Sequence, residues 1–407
     1  MTAQQDRFSP SALFTNFPYA NEQERAYLRQ HPARIAANLR ALARLPRPAG
    51  ARMLEVGCAW GGFSLLARQH LGLDVVGLDR YADLVAAAQA RGIPALQVDV
   101  ERERIPLDSN SVDIVWFDSV IEHLYDPTIA LAEIYRLLKP YGALLLGSPN
   151  VISLNRRLQM WGGLNPFSQY HRYNAIEGRP PILRCSVLYS PTDIVELLWT
   201  RFTAERVDYA VHLDLAERQR PSLGLRAWDV LRRTSCRLHP TWSDSFLLTL
   251  RSDKGGSLAR DKESALPLPA RYPRGEAPPY ACVYVGRSGD PVLAPGEQAE
   301  LTVRYRNVGT ATWQRAGAHP VRLGTCRPGD RPSAFVAPGW PAPHRPAELR
   351  DEQVPPGEVG EFLFAARAPE NPGYYCEHFC PLVEGVTWME DWGLYWGIEV
   401  TPARSRD

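Results

Sequence analysis

A chain of 407 residues exceeds the usual reach of one hydrophobic core, so two domains are expected. Its 45% hydrophobic and 22% charged residues are the ordinary mix of a soluble globular protein. Forty-six Lys and Arg against 45 Asp and Glu leave a formal net charge of +1, which gives no electrostatic reason for nucleic acid as a main partner. No apolar h-region follows Met1, so no secretory signal is expected, and no run approaches the roughly 20 apolar residues of a membrane span. The seven cysteines are odd in number and lack the spacing of a disulfide framework; reduced thiols in a cytoplasm are the expectation. Cys376, His378 and Cys380 have no second pair of ligands nearby, so packed thiols rather than a metal site are expected there.

In chain order, the spacing predicts a helix from about Asn21 to Leu45, ended by Pro46 and Pro48. Strands and helices then alternate: strand Arg52–Val56, helix Gly61–His70, strand Asp74–Leu78, helix Ala82–Arg91, strand Ala95–Val98. Strand Val112–Phe117 is nearly all apolar, as burial on both faces requires. Helix Ile129–Leu138 stops at the turn Lys139–Gly142, and strand Ala143–Gly147 follows. This alternation means βαβ units and a parallel sheet. A long insertion from Asn150 to about Tyr189 carries Trp161, Tyr170, His171 and Tyr173. A helix restarts at Ser190-Pro191, and strands at Arg206–Val211 and Ser245–Leu250 complete a seven-stranded sheet. After a charged, Gly/Pro/Ser-containing linker, runs such as Ala281–Val285, Ala299–Arg306, Glu361–Ala366 and Leu394–Val400 alternate with Pro-Gly turns, an all-β pattern. The expected divisions are an N-terminal helical cap at 1–50, an α/β domain at 51–251, a linker at 252–279 and a β-sandwich at 280–402.

The chemistry gathers where the first strand turns into the first helix, at Glu55-Val56-Gly57-Cys58-Ala59-Trp60-Gly61. Glycines there let the backbone approach a ligand, and an acid one strand later, Asp79, suits the hydroxyls of a ribose. Both features fit any adenosine cofactor. A dinucleotide site, however, wants Gly-x-Gly-x-x-Gly for the pyrophosphate; here Ala59 takes the second glycine position and Glu55 would repel the phosphates. S-adenosylmethionine has no phosphate, and its ammonium tolerates a carboxylate.

On these residues the sequence resembles the class I S-adenosylmethionine-dependent methyltransferases with a Glu-x-Gly-x-x-x-Gly first motif. The resemblance continues through Gln97–Val100, Asp113–His123 and Glu133–Gly142, covering Met53 to Asn150 well and Val151 to Arg251 loosely. It departs at Ala59 and at Tyr141, which interrupts a Lys-Pro-Gly turn. It implies a doubly wound, seven-stranded, mostly parallel α/β sheet with S-adenosyl-L-methionine as cofactor. By carry-over, Glu55, Gly57, Cys58 and Gly61 frame the methionine and ribose portion. Asp79 receives the ribose hydroxyls, with Arg80 beside the adenine; Asp99 accepts from the adenine amino group and Val100 offers its backbone. Asp118 and Ser119 lie beneath the sulfonium. A hydroxyl acceptor also needs a base. His123, on the sheet's carboxyl edge, is the first candidate, with Glu122 or Asp126 orienting it; His171 in the insertion is the second.

Beyond the linker, Asn307-x-Gly309-x-x-x-Trp313, two Pro-Gly-Glu turns, Gly373-Tyr374, Trp388 and Trp392 resemble the immunoglobulin-like domain of the NBR1 autophagy receptor type, from about Tyr280 to Val400. Trp340, Trp388, Trp392 and Trp396 pose a choice between a binding platform and core packing, and packing is the commoner fate. The function implied is methyl transfer to oxygen on a glycan or natural-product small molecule, hinted at by Ser148-Pro149-Asn150 before the insertion. The alternatives are a peptide or protein methyltransferase whose sandwich grips the polypeptide, and a non-catalytic cofactor-binding module. A homodimer or a protein contact through the sandwich is the further partner expectation, with no nucleic acid.

Overall fold

The computed structural model of the chain describes residues 8–165, 187–211, 223–255 and 277–402. His171, Tyr170 and Tyr173 lie outside the described residues. The chain divides into two compact units, one drawn from residues up to Ile194 and from Ala204–Arg251, the other from Val195–Thr203 and from Ser252 onward.

Helices α1 (Pro10–Phe14), α2 (Glu22–Gln30) and α3 (Pro32–Arg44) open the first unit. The single helix expected over 21–45 is broken at His31, because Pro32 lacks the N–H that would continue α2 and instead occupies the first position of α3. Asn21 caps α2, its side chain accepting from the Glu24 N–H at 2.8 Å. The apolar stripe of α3, including Ile35, Leu39 and Leu42, is buried in the same core as Met53 and Ile114.

There follow β1 (Arg52–Val56), α4 (Gly62–Leu71), β2 (Asp74–Asp79), α5 (Ala82–Ala90), β3 (Ala95–Gln97), β4 (Val112–Asp118), α6 (Pro127–Leu137), β5 (Leu138–Pro149), α7 (Leu154–Trp161), α8 (Pro191–Leu198), β6 (Phe202–Ala210), α9 (Leu223–Leu238) and β7 (Ser245–Ser252). The seven strands form one sheet in the order β3-β2-β1-β4-β5-β7-β6. The pairings from β3 to β5 are parallel, and β7 runs antiparallel to β5. The seven-stranded, mostly parallel α/β fold is therefore as expected. The chain winds outward from β1 to β3, then returns to lay β4 on the other side of β1. That reversal opens a crevice at the carboxyl ends of β1 and β4, where such sheets bind ligands.

Two local expectations change. Lys139–Gly142 is not a turn between helix and strand but a bulge within β5: Val112 pairs with Leu138 and Ile114 with Ala143, and Tyr141 sits at φ 60°. The insertion and the stretch before β7 hold the helices α7 and α9.

The second unit is all-β among its described residues from 277 onward. Its strands are β8 (Cys282–Arg287), β9 (Val292–Leu293), β10 (Gln298–Asn307), β11 (Trp313–Gln314), β12 (Val321–Thr325), β13 (Ala347–Glu348), β14 (Gln353–Val354), β15 (Val359–Arg367), β16 (Gly373–Val383), β17 (Thr387–Trp388) and β18 (Tyr395–Val400). They form a three-stranded sheet β15-β10-β8, a pair β11-β14, and a six-stranded sheet β13-β12-β16-β18-β9 with β17 on β16. β10 and β15 alternate buried and outward residues, the period of a sheet with one covered face. Phe364, Phe379 and Trp396 pack edge to face with centroids 5.3–5.7 Å apart. The Asn-x-Gly motif has a structural cause. The fully buried Asn307 amide donates to the carbonyls of Ala311 and Val354 at 2.9 Å, while its oxygen accepts from the Gly309 N–H at 3.1 Å. Trp392 and Trp396 are buried and the Trp340 indole N–H is spent on the Ala365 carbonyl, so these three pack, while Trp388 is 38% exposed.

Candidate active site

The β1–α4 turn is built by residues at positive φ: Gly57 at 77°, Ala59 at 47° and Gly61 at 76°. At Gly57 a Cβ would sit 2.5 Å from the Val120 side chain, so only glycine fits. Ala59 holds the same left-handed region with a methyl group, a position where glycine is cheaper. The turn aims the Ala59 N–H at Asp79 Oδ2, 3.0 Å away, while Asp79 Oδ1 accepts from the Tyr81 N–H at 3.0 Å. Asp79 is thus fixed at the end of β2 by backbone donors.

Beneath the turn lies a cavity of about 210 Å³ lined by Glu55, Gly57, Cys58, Ala59, Asp118 and Ser119, together with Trp60, Phe63 and Trp116. Phe63 and Trp116 stack at 4.4 Å and form its apolar wall. The Cys58 thiol is buried against Gly77, so toward the cavity this residue offers backbone. Glu55 is buried, and the Ser64 hydroxyl donates to its carboxylate. Burial nevertheless pushes Glu55 up to about 8.

A further wall comes from the N-terminal helices, which the sequence did not announce. α2 and α3 contribute Tyr27, Arg34 and Asn38. Asn38 Nδ2 donates to Asp118 Oδ2 at 3.0 Å, Arg34 Nη1 to the Ser119 hydroxyl at 3.2 Å, and Arg34 Nη2 to the Tyr27 oxygen. Burial opposes the Arg34 charge, but Tyr27, Asp118 and Glu122 outweigh it and hold the guanidinium firmly protonated. Arg34 Nε is buried without a hydrogen-bond partner among the described residues, and so is Glu122 Oε2. Glu122 is buried beside this group, and burial raises its carboxyl to about 8. Arg34 and Asn38 lie one helical turn apart beside the apolar stripe of α3; that polar pair was the available signal.

The remaining expected residues lie outside the cavity lining. Arg80 stacks its guanidinium 5.4 Å from the Tyr81 ring, and Asp99, past β3, accepts from the Glu101 N–H at 3.2 Å. Val100 is buried beside it. Gly61 ends the turn as the residue before α4. His123 is half-buried in a short 3₁₀ turn over Ile121–His123. Asp126 does not orient it: its carboxylate caps α6, accepting from the Thr128 N–H at 2.9 Å.

The chemistry of the donor set fits an adenosine cofactor carrying a cationic amino-acid tail. A buried carboxylate faces the glycine turn, a fixed acid ends β2, and the backbone at Gly57 carries no side chain of its own. Comparison with known proteins agrees. Residues 54–146 match the family model described as a methyltransferase domain. The chain is 32% identical over 132 residues to malonyl-[acyl-carrier protein] O-methyltransferase of Enterobacter lignolyticus, covering 32% of this chain and 52% of that one. It is 36% identical over 107 residues to ubiquinone biosynthesis O-methyltransferase of Xanthomonas oryzae pv. oryzae, covering 25% and 44%. A probable S-adenosylmethionine-dependent methyltransferase of Mycolicibacterium smegmatis is 38% identical over 125 residues, 30% and 46% of the two chains. The chain thus spans about half the length of the curated relatives it matches. Among solved structures, a Haloferax volcanii methyltransferase in complex with the Trm112 methyltransferase activator aligns with a TM-score of 0.42 at 20% identity, over 62% of this chain and 98% of that one. Residues 54–146 are the core of a class I S-adenosylmethionine-dependent methyltransferase domain.

Proposed function

We propose that the protein transfers the methyl group of S-adenosylmethionine to an oxygen atom of a small-molecule or glycan acceptor. The observation that carries this is the turn Glu55–Gly61 standing over a cavity closed by Asp118 and Ser119, with Asp79 fixed at the neighbouring strand end. S-adenosylmethionine supplies an already activated methyl group, so the protein's share is alignment, exclusion of water and removal of one proton. Glu55 meets the ammonium, Asp79 the ribose hydroxyls, Asp99 and Val100 the adenine, and Arg34 the free carboxylate of the amino-acid tail. The stacked pair Phe63 and Trp116 keeps the wall dry.

The proton belongs to a base at the carboxyl edge of β4. Glu122 and His123 both stand there, and Glu122 is the one buried toward Arg34 and Asp118. An oxygen acceptor is favoured by the relatives, whose names specify O-methylation. We read the second unit as the NBR1-type immunoglobulin-like domain, on the buried Asn307 turn and the Trp313 that follows it.

The test is transfer of a labelled methyl group to matched panels of hydroxyl or carboxyl compounds, glycans and peptides. Label entering the first two panels supports the proposal. Label entering only peptides would replace it with a protein methyltransferase.

A further inference from the structure

Two helices of the first unit turn large apolar side chains outward and bury charged ones. Among the described side chains of α9 the buried ones are Asp229, Arg232 and Cys236, a stripe at i, i+3 and i+7, and Arg232 is 1% exposed. Trp228 is half-buried beside them, while Val230 at 65%, Leu231 at 57% and Leu238 at 74% exposed face outward. A helix in water does the reverse, covering its apolar face against the core. α7 repeats the pattern: Arg156 is its buried residue, while Met160, Trp161 at 89% and Leu164 just beyond it are exposed.

The polar inner faces are a built feature, and they join the two helices. Asp244, just before β7, accepts from Asn155 of α7 at 3.2 Å and from Arg232 of α9, and Arg232 also donates to Asp229 at 3.1 Å. The outward apolar surface is therefore what this network holds in place. Large apolar side chains left exposed on two helices tied to the same aspartate mark a candidate interaction surface.

The charges choose the partner. Neither helix exposes an acid: Asp229 is their single carboxylate, buried between Arg232 and Arg233. Arg157, Arg233 and Arg237 are exposed among the apolar residues. Large apolar side chains interspersed with arginines, on helices lying along a surface and too short and polar to cross a bilayer, match the interfacial geometry of a peripheral membrane protein.

We infer that the outer face of α7 and α9 docks on an anionic phospholipid surface. The inference is independent of the methyl-transfer proposal, and the two fail separately. Because α7 begins five residues beyond the end of β5, docking brings the sheet edge that carries the candidate site close to the bilayer.

The experiment is co-sedimentation of the full chain with vesicles of phosphatidylcholine, with and without phosphatidylglycerol. The chain should pellet with the anionic vesicles, and added salt should release it. Leu231→Glu combined with Leu238→Glu should cut partitioning about tenfold or more. Arg237→Gln should cut it about fivefold on anionic vesicles while leaving neutral ones unchanged. All these positions are exposed, so an unchanged melting temperature shows that the variants fold, and unchanged S-adenosylhomocysteine affinity shows that the cofactor site is intact. Wild-type chain left in the supernatant with both vesicle types would overturn the inference. So would equal pelleting of the double variant, or a homodimer in sedimentation velocity that the double variant converts to monomer, which would assign the face to a second copy.

Discussion

Glu55 offers the most searching perturbation of the cofactor site. Burial raises its carboxyl from 4.5 to about 8, even with the Ser64 hydroxyl donating to it. At pH 7 the empty site therefore holds a mostly neutral acid. An ammonium placed against it favours the ionised form, so binding must drive off the proton. Ionising the group one unit below its pKa costs about 1.4 kcal/mol, a tenfold loss of affinity. Affinity for S-adenosylhomocysteine should therefore rise about tenfold from pH 6 to pH 7 and level off above pH 8. Titration calorimetry at pH 7 in buffers of different ionisation enthalpy should report release of about one proton per ligand bound. Glu55→Gln should abolish both the proton release and the pH slope. It should also weaken binding at pH 8 by about 1.5–3 kcal/mol, the worth of a hydrogen bond to a charged group. Proton-neutral binding with a flat pH profile in the wild type would refute this reasoning and place the ammonium elsewhere.

The same shift predicts the stability of the empty protein. Glu55 and Glu122 both bind their protons more tightly folded than unfolded, so their contribution is full below about pH 4.5 and is lost as pH rises to about 8; the melting temperature should fall across that window, and less so in Glu55→Gln. Asp79→Ala removes the acceptor for the ribose hydroxyls and for the Ala59 N–H, and should weaken cofactor binding by about 1–3 kcal/mol in the same calorimetry. Ala59→Gly relieves about 1–2 kcal/mol of left-handed strain but adds about 0.5–1 kcal/mol of unfolded-state freedom, so chemical denaturation should report a small net gain. For the base, Glu122→Gln should slow turnover by about 10²–10⁴-fold and remove the kinetic group near pH 8, with cofactor affinity nearly intact, while His123→Ala should cost only a few-fold; the opposite ranking would return the role to His123.

Much of the fold was legible because its signals are local. The apolar runs of β1 and β4, the glycines after β1 and the acid closing β2 are each set by neighbours in sequence, and their spacing imposes the βαβ order. What escaped were features whose cause is distant. Arg34 and Asn38 read as surface residues on an Ala-rich helix until α3 packs beside β4 and brings them to Ser119 and Asp118. Pro32 broke a run that periodicity alone joined. Ala59 is a departure visible in the sequence, but only its φ of 47° shows that the added methyl is a source of strain. The helix α9 was passed over because Asp229 and Arg232 occupy its buried face while Val230, Leu231 and Leu238 are exposed, so no apolar core-facing stripe announces it.

The account rests most directly on which ligand enters the crevice between β1 and β4. Calorimetric titration of the full chain with S-adenosylhomocysteine, S-adenosylmethionine and NAD decides this. The prediction is one site per chain with micromolar affinity for the first two, S-adenosylhomocysteine binding at least as tightly, and no heat with NAD. Binding of NAD with silence from both methionine-derived ligands would contradict it.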